Sequence, residues 1–223
     1  MGCLFPIHCL GCGQEGVWLC ESCFDRIDKS GVACCPVCHH FSASGLCCVD
    51  CRRSSSLKSV IAVTPYNEAW LIGELIRTVK YRYALDAADL FYDMVRYWGA
   101  QEGRLFSDID VIVPVPLHPR RFAERGFNQA EIVAGAIHTV SSIPILSTLV
   151  RTRNTKRQAR LSRRGRIRNV RDAFVVPRKE AIQNQRVLLV DDVYTTGSTM
   201  SECAKALLSA GAVSVSGFAL ARG

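Results

Sequence analysis

The sequence predicts an α/β fold: a mainly parallel sheet with flanking helices, preceded by a small cysteine-rich module. Three observations predict it. From residue 59 onward, short Val- and Ile-rich runs alternate with stretches that place apolar residues at helical spacing. One of those runs, Val187–Val190, leads into two carboxylates, a turn of small hydroxyl residues and then a helical stretch. Ahead of all this, four C-x-x-C pairs crowd into residues 9–51.

The cysteine module comes first in the chain. Of twelve cysteines, eleven precede residue 52, and eight form the pairs Cys9/Cys12, Cys20/Cys23, Cys35/Cys38 and Cys48/Cys51. Four thiolates bind Zn²⁺ tetrahedrally, and each C-x-x-C knuckle supplies two. With no secretory leader in view, repeated knuckles point to zinc rather than disulfides. Neighbouring pairs give two sites, Cys9/Cys12/Cys20/Cys23 and Cys35/Cys38/Cys48/Cys51. An interleaved pairing and a single ion stay open, with Cys3, Cys34, Cys47, His39 and His40 as spare ligands. Residues 1–52 are too few for a large core, so metal would supply much of their folding free energy. Arg52–Ser56 reads as a linker, which leaves residues 59–223 as the second domain.

Ser59–Thr64 is the first expected strand of that domain, ended by Pro65. Leu71, Ile72, Leu75, Ile76 and Val79 set a helical rhythm between Glu68 and Tyr81, and a second helix is expected over Leu85–Trp98. Lys80 reads as a solvated helix end rather than a cation facing a ligand. Asp110–Val115 is the next strand, and Pro114 argues against a fully central place for it. The strand runs into Pro116-Leu117-His118-Pro119-Arg120-Arg121, a turn fixed by prolines. Phe127–Val140 reads as a helix, Ile145–Val150 as a short strand, Ala173–Val176 as a resumed apolar run and Val213–Ala221 as the last strand.

Val187–Thr199, V-L-L-V-D-D-V-Y-T-T-G-S-T, organises the domain. The strand is expected to stop at Asp191 and Asp192, with a helix over Met200–Ala210 closed by Gly211. The loop lies at the carboxyl end of the strand, where open α/β sheets bind ligands. Gly197 allows a close backbone turn, and successive N–H groups can point at one anion in front of the helix dipole. Thr195, Thr196, Ser198 and Thr199 add hydroxyl donors. Two carboxylates would repel a phosphate and suit sugar hydroxyls or a hard cation such as Mg²⁺. A phosphate cradle beside a diol grip describes a phosphorylated ribose.

These thirteen residues resemble the phosphoribosyl pyrophosphate (PRPP) signature of type I phosphoribosyltransferases. The resemblance implies that Asp191 and Asp192 hold the ribose hydroxyls, as the catalytic pair, and that Thr195, Thr196, Gly197, Ser198 and Thr199 hold the 5-phosphate. The basic turn, with Leu117, His118, Arg120 and Arg121, would then meet the pyrophosphate, together with Mg²⁺. With the cysteine module in front, the whole chain resembles the ComF family, which joins a zinc ribbon to a type I phosphoribosyltransferase-like domain. The matching stretches also include V-K-Y at 79–81, V-P-V-P-L-H-P-R-R at 113–121, R-G-F-N-Q at 125–129, Q-A-R-L-S at 158–162 and R-N at 168–169. Arg164-Gly165 departs from the family, where an acidic residue is more frequent.

Arg151–Arg171 holds ten Lys or Arg and no Asp or Glu, so this segment alone exceeds the net charge of +8. It reads as a lid over a polyphosphate site, a DNA-binding arm or a solvated loop. It lacks aromatic residues, and so the stacking platforms of single-strand grooves. The ComF resemblance implies a role in DNA uptake, competence or DNA utilisation, as a PRPP-dependent transferase of unknown acceptor. The alternative it leaves is a non-catalytic factor that binds single-stranded DNA or a DNA-uptake helicase and keeps PRPP as a sensed ligand. A homodimer is compatible with either. No apolar run approaches the length of a membrane helix, and a cytoplasmic protein is the default.

Overall fold

The computed structural model describes residues 6–67, 69–81, 86–101, 106–155 and 163–223. The elements follow in chain order as α1 (Glu21–Asp25), β1 (Val32–Cys34), β2 (Ser59–Pro65), α2 (Leu71–Tyr81), α3 (Asp89–Gln101), β3 (Val111–Pro114) and α4 (Pro119–Arg125). They continue as α5 (Gln129–Ser141), β4 (Val150–Arg151), α6 (Arg163–Val170), β5 (Phe174–Val175), β6 (Arg186–Tyr194), α7 (Ser198–Ser209) and β7 (Ser214–Arg222).

Five strands form one sheet in the order β1-β2-β7-β6-β3. The β2–β7, β7–β6 and β6–β3 pairings are parallel, and β1 runs antiparallel to β2. The parallel strands read as near-continuous apolar runs because both of their faces are covered. In β6, Leu188 and Val190 face the core shared with α2, α3 and α5, while Val187 and Leu189 face the core shared with α7. Trp98 of α3 lies 5.2 Å from Phe218 of β7, one tilted aromatic contact in the first of these cores. At the amino ends of β3 and β6, Asp110 accepts from Arg186 Nε at 3.0 Å, Nη2 at 2.7 Å and the backbone N–H at 2.8 Å. That fork holds the Asp110 carboxyl down to about 2.

Several boundaries differ from the sequence reading for physical reasons. β3 lies at an end of the strand order, the place where Pro114 costs no ladder bond. The expected strand over Ile145–Val150 divides: Ile145 makes an isolated bridge to Ile112, and β4 pairs instead with β5 in a separate antiparallel ribbon. The basic segment is not loop throughout, since α6 lies within it. The motif at 158–162 falls outside the described residues, as do Glu68, Leu85 and Cys3. Arg52–Ser54 forms a 3₁₀ turn, and Leu57 after it is buried. Among the described residues no helix is long and apolar enough to cross a membrane.

Candidate functional site

Asp191 and Asp192 lie inside β6 rather than at its end. The strand continues to Tyr194, with Asp191 opposite Ala219 and Val193 opposite Ala221. A carboxylate at a strand position needs a partner, and α2 supplies it. Lys80 is not solvated: its Nζ forms an ion pair with Asp192 Oδ2, and both side chains are largely enclosed. Burial acts to lower the Lys80 ammonium, but the attraction of Asp192, with Asp191 behind it, holds it above its ordinary value. Asp191 goes the other way. Burial and the neighbouring Asp192 push its carboxyl up to about 8, against the pull of Lys80 and of the Asp192 N–H that donates to its Oδ1 at 2.9 Å. A carboxylate pair set beside one ammonium can accept hydrogen bonds from a diol.

The turn that follows has the expected cradle form. Gly197 caps α7 in the left-handed region at φ 71° and makes no side-chain cap bond to it. Thr196 Oγ1 and Ser198 Oγ lie 2.9 Å apart across the turn, and Thr195 and Thr199 flank it. The turn and the carboxylates sit at the carboxyl end of the parallel strands, beside the first turn of a twelve-residue helix.

The residues after β3 join the same end, because Val115 N–H donates to Val190 O at 2.8 Å. Leu117 and His118 are half-buried. His118 is the N-cap of α4, its Nδ1 accepting from the Arg120 N–H at 3.2 Å, so it shapes the turn. Arg120 is exposed and pairs loosely with Glu124 at 3.9 Å. Arg121 turns inward and donates to Thr155 O at 2.6 Å. Two cations outside the expected set complete the rim. Arg125 stacks over the Tyr81 ring at 5.5 Å, donates to Gln129 Oε1 at 3.0 Å and is felt electrostatically by Lys80. Arg151 is 6% exposed, lies over Phe174 at 5.4 Å and donates to Thr155 Oγ1. Burial and the nearby Arg121 lower its guanidinium, and Asp191 partly restores it. Lys80 pairs with Asp192 and Arg151 feels Asp191, while Arg125 lies near Lys80 and Arg121 near Arg151, an arrangement able to receive a ligand that carries both hydroxyls and phosphates.

The eight cysteines divide as neighbouring pairs. In each set, Cys9/Cys12/Cys20/Cys23 and Cys35/Cys38/Cys48/Cys51, the Sγ atoms all lie within 4.8 Å of one another. A tetrahedral zinc with Zn–S near 2.3 Å requires Sγ–Sγ edges of about 3.8 Å. Cys9–Cys20 is 3.7 Å, Cys12–Cys20 is 3.6 Å, and both Cys35–Cys48 and Cys38–Cys48 are 3.8 Å. Against the effect of burial, backbone N–H groups bring Cys9 down to about 6 and Cys35 to about 5, whereas burial and neighbouring thiols push Cys23 up to about 12, and neighbouring thiols and burial do the same to Cys51. Each group could hold one zinc ion. Of the spare ligands, Cys34 points into the core, and Cys47 Sγ lies 3.9 Å from Cys35 Sγ without joining the four.

The phosphoribosyl transferase domain family matches residues 84–222. Competence protein F of Haemophilus influenzae is 31% identical over 230 residues, covering 97% of this chain and 96% of that protein. The chain belongs to the ComF family. Competence protein ComFC of Bacillus subtilis is 28% identical over 213 residues, covering 92% of this chain and 84% of that one. The DNA utilization protein YhgH of Escherichia coli strain K12 is 41% identical over 114 residues, covering 51% of this chain and 49% of that one. In this ComF chain the sequence-predicted acidic pair, hydroxyl turn and proline-bounded turn come together at one end of the sheet. Arg120 stands apart at the exposed rim. Lys80, Arg125 and Arg151 were missing from the expected set. The V-K-Y and R-G-F-N-Q stretches pointed at the first two, whereas Arg151 looked like any other arginine of its run.

Proposed function

We propose that this ComF-family protein binds PRPP at the carboxyl end of β6 and acts as a phosphoribosyltransferase-like component of DNA uptake or DNA utilisation in the cytoplasm. One observation carries the reading: a Lys80-balanced carboxylate pair stands one short turn before the uncapped amino end of α7. Asp191 and Asp192 accept from the ribose hydroxyls. The Thr195–Thr199 turn takes the 5-phosphate on backbone N–H groups and hydroxyls. Arg121 and Arg151, with Leu117 and His118 shaping the floor, face the pyrophosphate, and Arg120 guards the outer rim. Mg²⁺ bound to the pyrophosphate would spread its charge as it leaves.

Asp191 gives this scheme a proton step. A protonated carboxyl accepts fewer hydroxyl hydrogen bonds than a carboxylate, so gripping the diol with both oxygens favours release of the Asp191 proton to solvent. The resulting anion also opposes the positive charge that grows on the ribosyl centre as pyrophosphate departs. The names of the relatives support the DNA context: two carry competence in their names and one carries DNA utilization. The Arg-rich α6 segment supports electrostatic contact with single-stranded DNA or with a helicase that handles it.

Calorimetry with PRPP and Mg²⁺ tests binding, and pyrophosphate release in the presence of nucleobases or DNA tests transfer. Asp191→Asn with Asp192→Asn should weaken PRPP roughly tenfold or more, since charge-assisted bonds to the diol are worth about 1.5–3 kcal/mol each. Unchanged affinity in that variant overturns the ribose assignment.

A further inference from the structure

Tyr194 has no part in the scheme above, yet it is 1% exposed and stands between the acidic pair and the hydroxyl turn. Its side chain does not simply fill the core. The hydroxyl donates to Pro36 O at 3.0 Å. Pro36 lies between Cys35 and Cys38, inside the first knuckle of the second cysteine cluster. His39, just past that knuckle, meets the Tyr194 ring edge-on at 6.4 Å. The site turn in its turn rests on Tyr194. A Cβ added at Gly197 would come within 2.3 Å of the Tyr194 hydroxyl and 2.7 Å of Cζ. Gly197 therefore answers two demands at once, a positive φ and contact with this hydroxyl. The Tyr194 carbonyl also accepts from the Gly223 N–H at 3.0 Å, which fixes the residue from its backbone side.

We infer that Tyr194 is a positioning residue through which the Cys35/Cys38/Cys48/Cys51 cluster sets the shape, and hence the phosphate affinity, of the Thr195–Thr199 turn. The inference rests on the phosphate reading of that turn. Its physical basis is short. The Pro36 carbonyl can hold the hydroxyl in one place only while the knuckle around it is closed. Four thiolates on one metal ion close it, and a released knuckle frees the carbonyl. The Tyr194 hydroxyl then loses its buried acceptor, and the turn packed on that hydroxyl through Gly197 loses its floor. An N–H cradle binds phosphate well only when its donors are aimed in advance. Coupling of this kind is reciprocal: if the closed knuckle favours phosphate, bound phosphate favours the closed knuckle.

The test uses the full zinc-loaded chain and ribose 5-phosphate as the probe. Tyr194→Phe keeps the ring and removes the donor. Its turn amides should exchange hydrogen faster than in the unaltered protein with no ligand present, and ribose 5-phosphate should bind about tenfold weaker. Cys35→Ser with Cys38→Ser should lower affinity to a similar degree, and adding Tyr194→Phe to it should lower affinity no further. Should the cysteine variant fail to fold, reciprocity gives the same answer. Ribose 5-phosphate should raise the affinity for one zinc ion in a competition with a chromogenic chelator, and Tyr194→Phe should abolish that gain. Additive losses, or a zinc affinity indifferent to ribose 5-phosphate while the ligand binds, overturn the coupling. Unaltered protein that binds neither ribose 5-phosphate nor PRPP overturns the phosphate reading instead. The ligand-free exchange rates still judge the brace in that case: equal rates in Tyr194→Phe and the unaltered protein sink it.

Discussion

The first cysteine cluster lays Cys9 and Cys23 against the helical face of the sheet, beside α2 and α3, with Leu19 and Ile27 in the same core. The second joins the sheet through backbone. Cys34 precedes it in β1, Val60 N–H donates to Gly45 O at 2.9 Å, and Cys47 N–H donates to Lys58 O at 2.9 Å. Cluster one is a packed neighbour of the helices, and cluster two is an extension of the sheet edge that also reaches Tyr194. The same ligand set thus occupies two mechanical positions. A metal packed on a helix face stabilises whatever that face supports. A metal set in a strand edge passes its geometry along the strands. Cluster one reaches the site by a longer path, through α2, whose amino end meets Gly11 through Leu71 and whose carboxyl end carries Lys80 to Asp192.

The comparison would break most visibly under loss of metal. Structural zinc contributes about 10–16 kcal/mol of apparent binding free energy in small modules. Cys9→Ser with Cys12→Ser should remove one zinc by elemental analysis and lower the melting temperature. Ribose 5-phosphate affinity should fall less in that variant than in Cys35→Ser with Cys38→Ser. The reverse order of affinities would show that the sheet edge is not the direct route.

Lys80→Met probes the longer route. It leaves the Asp192 carboxylate enclosed without its cation, at a cost of about 3 kcal/mol or more. Denaturant unfolding at pH 7 should show the loss. Lys80→Met combined with Asp192→Asn should recover much of it, because neither charge is then stranded. A double variant as unstable as the single one would mean that α2 is held chiefly by packing.

The shape of the binding motifs is legible in the sequence because their chemistry is local. Four C-x-x-C pairs state their ligand count, though the choice of neighbouring over interleaved pairs came only with the fold, and D-D followed by T-T-G-S-T states its turn. Alternating runs also give the parallel sheet and the edge position of β3, since Pro114 carries that information in one residue. What fails is whatever depends on a partner distant in the chain. The strand continues past Asp191 because β7 lies beside it, and Lys80 is buried because Asp192 is across from it. Nothing in its sequence context sets Arg151 apart, and it is its packing over Phe174 and its bond to Thr155 that mark it in the fold. Tyr194 looks like a spacer within the motif until Pro36 appears above it.

A pH series sharpens the difference between the two routes further. The Asp191 carboxyl is raised to about 8 in the folded chain, whereas an unfolded aspartate ionises near pH ~4. The sign follows: the folded form holds the proton more tightly, so its contribution is complete below about pH 4 and is lost as pH rises through about 8. Asp191→Asn stays neutral throughout and should flatten the decline in unfolding free energy across that window. Calorimetry of PRPP in buffers of different ionisation enthalpy should show proton release near pH 7 in the unaltered protein and none in Asp191→Asn. Proton uptake would reverse the assignment.

The smallest effect belongs to the fastening of cluster one. Lys29 donates to Phe24 O at 2.7 Å and Ile27 O at 3.0 Å, and its ammonium sits 4.5 Å over Phe24 and 4.9 Å over Tyr97 of α3. Lys29→Met should cost about 1–2 kcal/mol by thermal unfolding, the size of a desolvated cation–π contact, with zinc content unchanged. Loss of zinc in this variant would mean that the cluster depends on α3 to form.

The strand order has a consequence for how the chain reaches this state. β7 follows every other strand in the chain yet lies between β2 and β6. Ser59 pairs with Ser216, and Arg186 with Ser214, so neither inner edge finds its neighbour before β7 arrives. A growing chain holds the sheet as two separate pieces, β1 with β2 and β3 with β6, each with an open apolar edge. Such edges invite pairing with other chains, and closures across long loops are slow. The metal knuckles close over short loops and need no distant strand. On the ribosome they can harden first, giving β2 a folded companion during the long wait for β7.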